Sequence, residues 1–138
     1  MKQFKYIILG ILLCLTMGCR YDHSDIPRVP VNFYIYPNSV SYLDLNLIGG
    51  HMYFTGGVSG IVVYRLGDWE FTAFDRACPY DWYHEDSWIW VEAGITLRCQ
   101  RCNSLFNILD GSVITGPSRF PLKQYYTRFD GMRLRVRS

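Results

Sequence analysis

This sequence is short of histidine, of charge and of long apolar runs. Its 138 residues include three histidines, His23, His51 and His84. It has no G-x-S-x-G, no H-E-x-x-H, no phosphate loop and no dinucleotide glycine motif, so hydrolase, metalloprotease and nucleotide chemistries lack their usual anchors. Charged residues make up 19% and aromatics 17%, a balance that excludes a disordered chain. Setting Lys2 and Lys5 aside leaves 12 basic residues against 12 acidic ones. Such neutrality lacks the basic footprint of a nucleic-acid partner. No internal repeat occurs, and the length suits one domain.

The longest apolar run, Tyr6 to Met17, spans 12 residues, too short for a membrane-spanning helix. Lys2 and Lys5 precede it and Gly18-Cys19 follow it, the basic, apolar and small-residue order of an export signal. Leu15-Thr16-Met17-Gly18-Cys19 resembles a bacterial lipobox. On that resemblance residues 1–18 are a signal peptide, Cys14 is discarded with it, and Cys19 carries the lipid. Residues 19–30, polar and holding Pro27 and Pro30, read as a tether. The expected location is then the bacterial cell envelope, with the protein exported and anchored to a membrane.

Beyond the tether, residues 31–138 read as all-β. Strands are expected at Val31–Tyr36, Val40–Leu47, Met52–Thr55, Ile61–Leu66, Glu70–Phe74, Ser87–Glu92 and Ile95–Arg98. Asp110-Gly111 and Asp130-Gly131 are dipeptides favoured by two-residue hairpin turns. Near the C-terminus Met132, Leu134 and Val136 alternate with Arg133, Arg135 and Arg137. That pattern predicts a strand with its apolar side inward and its arginines in solvent, protecting an edge.

Cys78, Cys99 and Cys102 are an odd number of thiols for a compartment that favours disulfides. The stretches around them are Cys78-Pro79-Tyr80, Cys99-Gln100-Arg101-Cys102-Asn103-Ser104-Leu105-Phe106 and Gly116-Pro117-Ser118-Arg119-Phe120-Pro121-Leu122. Taken together they resemble the Rieske [2Fe–2S] domain family, in which C-x-H and C-x-x-H loops hold the cluster and a Gly-Pro-rich loop covers it. The resemblance implies an antiparallel β-sandwich or barrel with a small cluster-binding subdomain. It also implies a [2Fe–2S] centre held by Cys78 and Cys99 and shielded by Gly116 and Pro117.

Two positions depart from the family. Tyr80 stands where the first histidine belongs and Cys102 where the second belongs. Cys102 is a chemically credible replacement, and its thiolate lowers the potential relative to a histidine-ligated centre. The fourth ligand falls to His84 or Tyr80. Two other readings stay open: one zinc ion on the three cysteines plus His84, and a cofactor-free fold with a disulfide between loops. Against zinc stands the usual pairing of two knuckles, because Cys78 has no cysteine partner in its own loop.

Tyr80, Trp82, Tyr83, Trp88 and Trp90 crowd one loop and strand. They are expected to pack over the open end of the fold, with a ligand-stacking surface as the alternative. The functions these features suggest are one-electron transfer to an envelope partner or, with zinc or no cofactor, a binding module. Either is a carrier or binder more than a catalyst.

Overall fold

The structure is a computed structural model that describes residues 26–138. The signal peptide, Cys14, Cys19, His23 and most of the tether lie outside the described residues. The elements are β1 (Asn32–Ile35), a 3₁₀-helix (Val40–Leu45), β2 (His51–Phe54), β3 (Ile61–Arg65), β4 (Phe71–Asp75), β5 (Ile89–Glu92), β6 (Thr96–Cys99), β7 (Leu105–Asn107), β8 (Val113–Thr115), β9 (Gln124–Phe129) and β10 (Leu134–Arg137). They form two antiparallel sheets. The larger runs β1-β10-β9-β4-β3-β2 and the smaller β5-β6-β7-β8.

β3 and β4 are buried along their whole lengths, and the reason lies in what covers each face. Ile61, Val63, Phe71 and Ala73 join a core with Ile35, Leu45, Leu134 and Val136. Val62, Tyr64 and Phe74 point the other way, into a second core with Ile89, Leu97, Phe106, Ile108 and Leu122. A strand apolar on both faces shows a continuous hydrophobic run instead of alternation. The second core also contains Cys78 and Cys99.

Three local expectations need correction. Val40–Leu47 is not a strand but a 3₁₀-helix ending at Leu45, kinked at Tyr42. Its alternation is not a buried face, since Val40, Leu43 and Leu47 are exposed. The residues that turn inward are Tyr42 and Leu45, three apart, the spacing that a 3₁₀-helix stacks on one side. Nor do the Asp-Gly pairs make two-residue turns. Phe129 pairs with Leu134, so the loop is 130–133. Gly131 takes positive φ, while Asp130 instead accepts the backbone N–H of Met132 at 3.0 Å. Asp110 accepts that of Ser112 at 2.9 Å in the same way. Finally, β10 is not an edge. It pairs with β1 on one side and β9 on the other, so its arginines shield no open ladder.

Candidate metal centre

Two loops meet beside the second core. The first leaves β4 and is held by the buried carboxylate of Asp75, which accepts from Ala77 N at 2.9 Å. Cys78 follows, and a chain of turns begins: Asp81 N donates to Cys78 O at 3.3 Å, His84 N to Asp81 O at 3.0 Å and Ser87 N to His84 O at 3.0 Å. These turns carry the chain to β5, where Ala77 bridges Trp88. The second loop leaves β6 at Cys99. Asn103 N donates to Cys99 O at 3.2 Å, and Cys102 N points at Cys99 Sγ from 3.5 Å. Asn103 takes φ +59°, a left-handed conformation that asparagine tolerates.

These turns bring Cys78, Asp81, Cys99 and Cys102 together, with one ligand atom of each within 4.8 Å of every other. Cys78 Sγ and Cys102 Sγ are 3.5 Å apart, and all three cysteines are free thiols. His84 lies outside this group. Its ring packs against Tyr83, centroids 4.5 Å apart, and lines a shallow cleft of about 640 Å³ with Arg76, Trp82 and Trp88. Tyr80 is 54% exposed.

Asp81 is the site residue that sequence reasoning missed. The signal was present: Cys78-x-x-Asp81 has the same three-residue step as Cys99-x-x-Cys102. Both pairs fold as one turn whose first and last side chains face the same point. The objection that Cys78 has no partner in its loop therefore falls, because the partner is a carboxylate.

The surroundings act on the three thiol donors in both directions. Asp81 is 5% exposed. Its Oδ1 accepts from Ser87 Oγ, and its Oδ2 pairs with Arg101 Nε at 3.1 Å. Each carboxylate oxygen keeps a second lone pair for an ion. Ser87 Oγ is also 3.8 Å from Cys99 Sγ, and Cys102 Sγ lies 3.1 Å from Ser104 Oγ. Hydrogen bonding from Cys78, together with the backbone N–H groups of Arg101 and Cys102, draws the Cys99 pKa down to about 5. The Cys78 thiol is pushed up by its hydrogen bond to Cys99 and by burial, and the Cys102 thiol by burial.

Gly116 and Pro117 reach this site through Ser104. Ser118 N donates to Ser104 Oγ at 3.0 Å. A β-carbon on Gly116 would stand 2.5 Å from Ser104 Cα, closer than any side chain permits. The loop is thus stitched to the residue that contacts Cys102. Of the aromatic run, Trp82, Tyr83 and Trp88 line the same cleft as His84. Trp88 lies under the Arg76 guanidinium, 4.8 Å from its ring centroid, while Tyr83 stands exposed.

No protein-family model matches this chain, and no curated protein does. Among solved structures it is similar to a Rieske-type ferredoxin, the ferredoxin of carbazole 1,9a-dioxygenase from Nocardioides aromaticivorans IC177. The two are 19% identical, with a TM-score of 0.50 over 79% of this chain and 97% of that one. This chain has the Rieske-type fold.

That fold implies a two-iron cluster, and the donor set tests it. Zinc–sulfur bonds of about 2.3 Å place tetrahedral sulfur ligands about 3.8 Å apart. Four donors mutually within 4.8 Å match that arrangement. A two-iron cluster divides its ligands between two metals and needs two separated pairs. Neither family histidine position holds histidine: Tyr80 and Cys102 stand there, and the fourth donor, Asp81, is a carboxylate one residue beyond the first of them. The arrangement fits one tetrahedral ion better than it fits a two-iron cluster.

Proposed function

We propose that this domain is a metal-clipped binding module in which Cys78, Cys99, Cys102 and Asp81 hold a single zinc ion. The observation that carries this reading is the convergence of one ligand atom from each of four residues to within 4.8 Å. Three thiolates with one carboxylate suit zinc, and four protein ligands leave no open position for a substrate, as in structural sites. The ion ties the loop after β4 to the loop after β6, fixing the rim of the second core. Arg101 offsets part of the negative charge of the filled site through Asp81. In the same reading the basic, apolar and cysteine order of residues 2–19 exports the protein and attaches it to a membrane through Cys19.

The second reading is an electron carrier with a [2Fe–2S] cluster, which the fold of the ferredoxin neighbour favours. One measurement separates the two: zinc, iron and acid-labile sulfide on the full chain, purified without oxygen. One zinc and no sulfide per chain supports the clip. About two irons with sulfide and a visible absorption band would replace it with the cluster reading. Folded protein with neither metal would overturn both. For the zinc clip, Asp81→Asn lowers zinc affinity by at least about 10-fold, whereas Asp81→Cys retains it.

A further inference from the structure

The outer face of β1, β10 and β9 presents an arrangement that folding alone does not explain. Four of the eleven basic residues in 26–138 lie there: Arg128, Arg133, Arg135 and Arg137. Tyr34 pairs with Arg135 and Arg135 with Arg128. Two arginines therefore occupy directly opposed positions on neighbouring strands, a like-charge pairing that is destabilising. With β10 inside the sheet, edge protection gives no reason for that cost.

The charges also lack local compensation. A cleft of about 270 Å³ is lined by Tyr34, Arg128, Asp130, Arg133 and Arg135. Asp130 is its one carboxylate. It already binds Arg133 Nε at 3.1 Å and the backbone N–H groups of Met132 and Arg133. Arg135 Nε donates to a neutral acceptor, Asn32 Oδ1, at 3.0 Å. Arg128 has no hydrogen bond or ion pair among the described residues. Arg133 and Arg135 are nonetheless held in place. Tyr34 lies beneath Arg133 and Arg135, its centroid 5.1 and 5.6 Å from their guanidinium carbons. Stacking of this kind orders a planar guanidinium and leaves its N–H edge free.

We propose that this cleft is a phosphate-binding site, with Arg128, Arg133 and Arg135 as donors and the Tyr34 hydroxyl beside them. Arginine forks match the oxygens of phosphate in pairs. An anion between Arg128 and Arg135 turns their repulsion into two attractions. The phosphoryl group is either free or displayed by a lipid headgroup. The site shares no residue with the metal centre, so the two proposals fail separately.

The test is calorimetric titration of the full chain with pyrophosphate, for wild type, Arg128→Ala, Arg135→Ala and Arg119→Ala. Expected is saturable binding that weakens at least about 5-fold in the first two variants and with added salt, but is unchanged in Arg119→Ala. Pyrophosphate should also raise the wild-type melting temperature. Without ligand, Arg128→Ala should melt no lower than wild type, since it relieves a like-charge pair; this separates lost binding from lost folding. A second arm compares wild type with Arg128→Ala/Arg135→Ala on phosphatidylcholine vesicles with and without phosphatidylglycerol. Retention that depends on both phosphatidylglycerol and the arginines assigns the site to lipid headgroups, and its absence assigns it to a soluble phosphate. No saturable pyrophosphate binding, or equal binding in wild type and Arg128→Ala, overturns the proposal.

Discussion

Replacing Asp75 with asparagine tests how the loop that carries Cys78 and Asp81 is held. Asp75 is fully buried at the end of β4. Its Oδ1 accepts from Ala77 N at 2.9 Å and Ser59 N at 3.1 Å, and its Oδ2 from Val58 N at 2.8 Å and Tyr125 Oη at 2.7 Å. Tyr125 reflects this contact, since burial and its bond to Asp75 push its pKa upward. In Asp75→Asn the amide oxygen keeps the first two donors. The amide nitrogen then faces two donors of its own kind. The tyrosine hydroxyl rotates to accept, but the Val58 N–H has no such freedom. One stranded donor plus the loss of charge-assisted bonds costs about 2–4 kcal/mol. Asp75→Ala strands all four donors at about 1–3 kcal/mol each, comparable to the whole stability of a domain this size. The assay is urea unfolding followed by tryptophan fluorescence, with Tyr125→Phe and the double variant completing a cycle. Tyr125→Phe alone should cost about 1 kcal/mol, and its cost should change when Asp75→Asn is already present. An Asp75→Asn protein within about 0.5 kcal/mol of wild type would refute this account of the latch.

Three further outcomes are expected. Gly116→Ala, which drives a β-carbon into the Ser104 backbone at a φ of +109°, should lose about 1–3 kcal/mol, read as a lower urea midpoint; an unchanged midpoint would mean the covering loop is not seated on Ser104. His51 has its pKa lowered by burial, with Asp44 opposing the shift. The unfolded chain then takes up the proton first, so this contribution is full above pH about 6.5 and is lost as the pH falls below it. Stability of wild type relative to His51→Gln, measured across that interval, should decline with acid, and a flat difference would contradict the shift. On the zinc reading, Tyr80→Phe should bind the ion as wild type does, because the ring is largely exposed and outside the four-donor group; loss of metal would make the phenol a ligand.

Much of the sheet was legible because its signals are local. Ile61–Arg65, Phe71–Asp75 and the strands on either side of Ala93-Gly94 announce themselves by β-branched or aromatic runs beside glycines. Val40–Leu45 misled because alternation and three-residue spacing overlap in so short a window. The cysteines were visible as chemistry, but their company was not. Asp81 reaches the thiols through a turn, and a carboxylate in a polar loop reads first as a solvated charge. His84, three residues further along the same turns, faces Tyr83 instead of the sulfurs. The arginine face was visible in β10 alone. Only the registers with β1 and β9 show that Tyr34, Arg135 and Arg128 form one row.

The division of β3 and β4 between two cores bears on how freely such a site can change over generations. The core built on Ile61, Val63, Leu134 and Val136 contains none of the four candidate ligands. Substitutions at Cys78, Tyr80, Asp81 or Cys102 act on the smaller sheet and its rim, leaving that core intact. A descendant can exchange histidine for thiolate or carboxylate, pass through forms that hold metal poorly, and still inherit a folded domain. The scaffold thereby tolerates drift in its inorganic chemistry while keeping its shape.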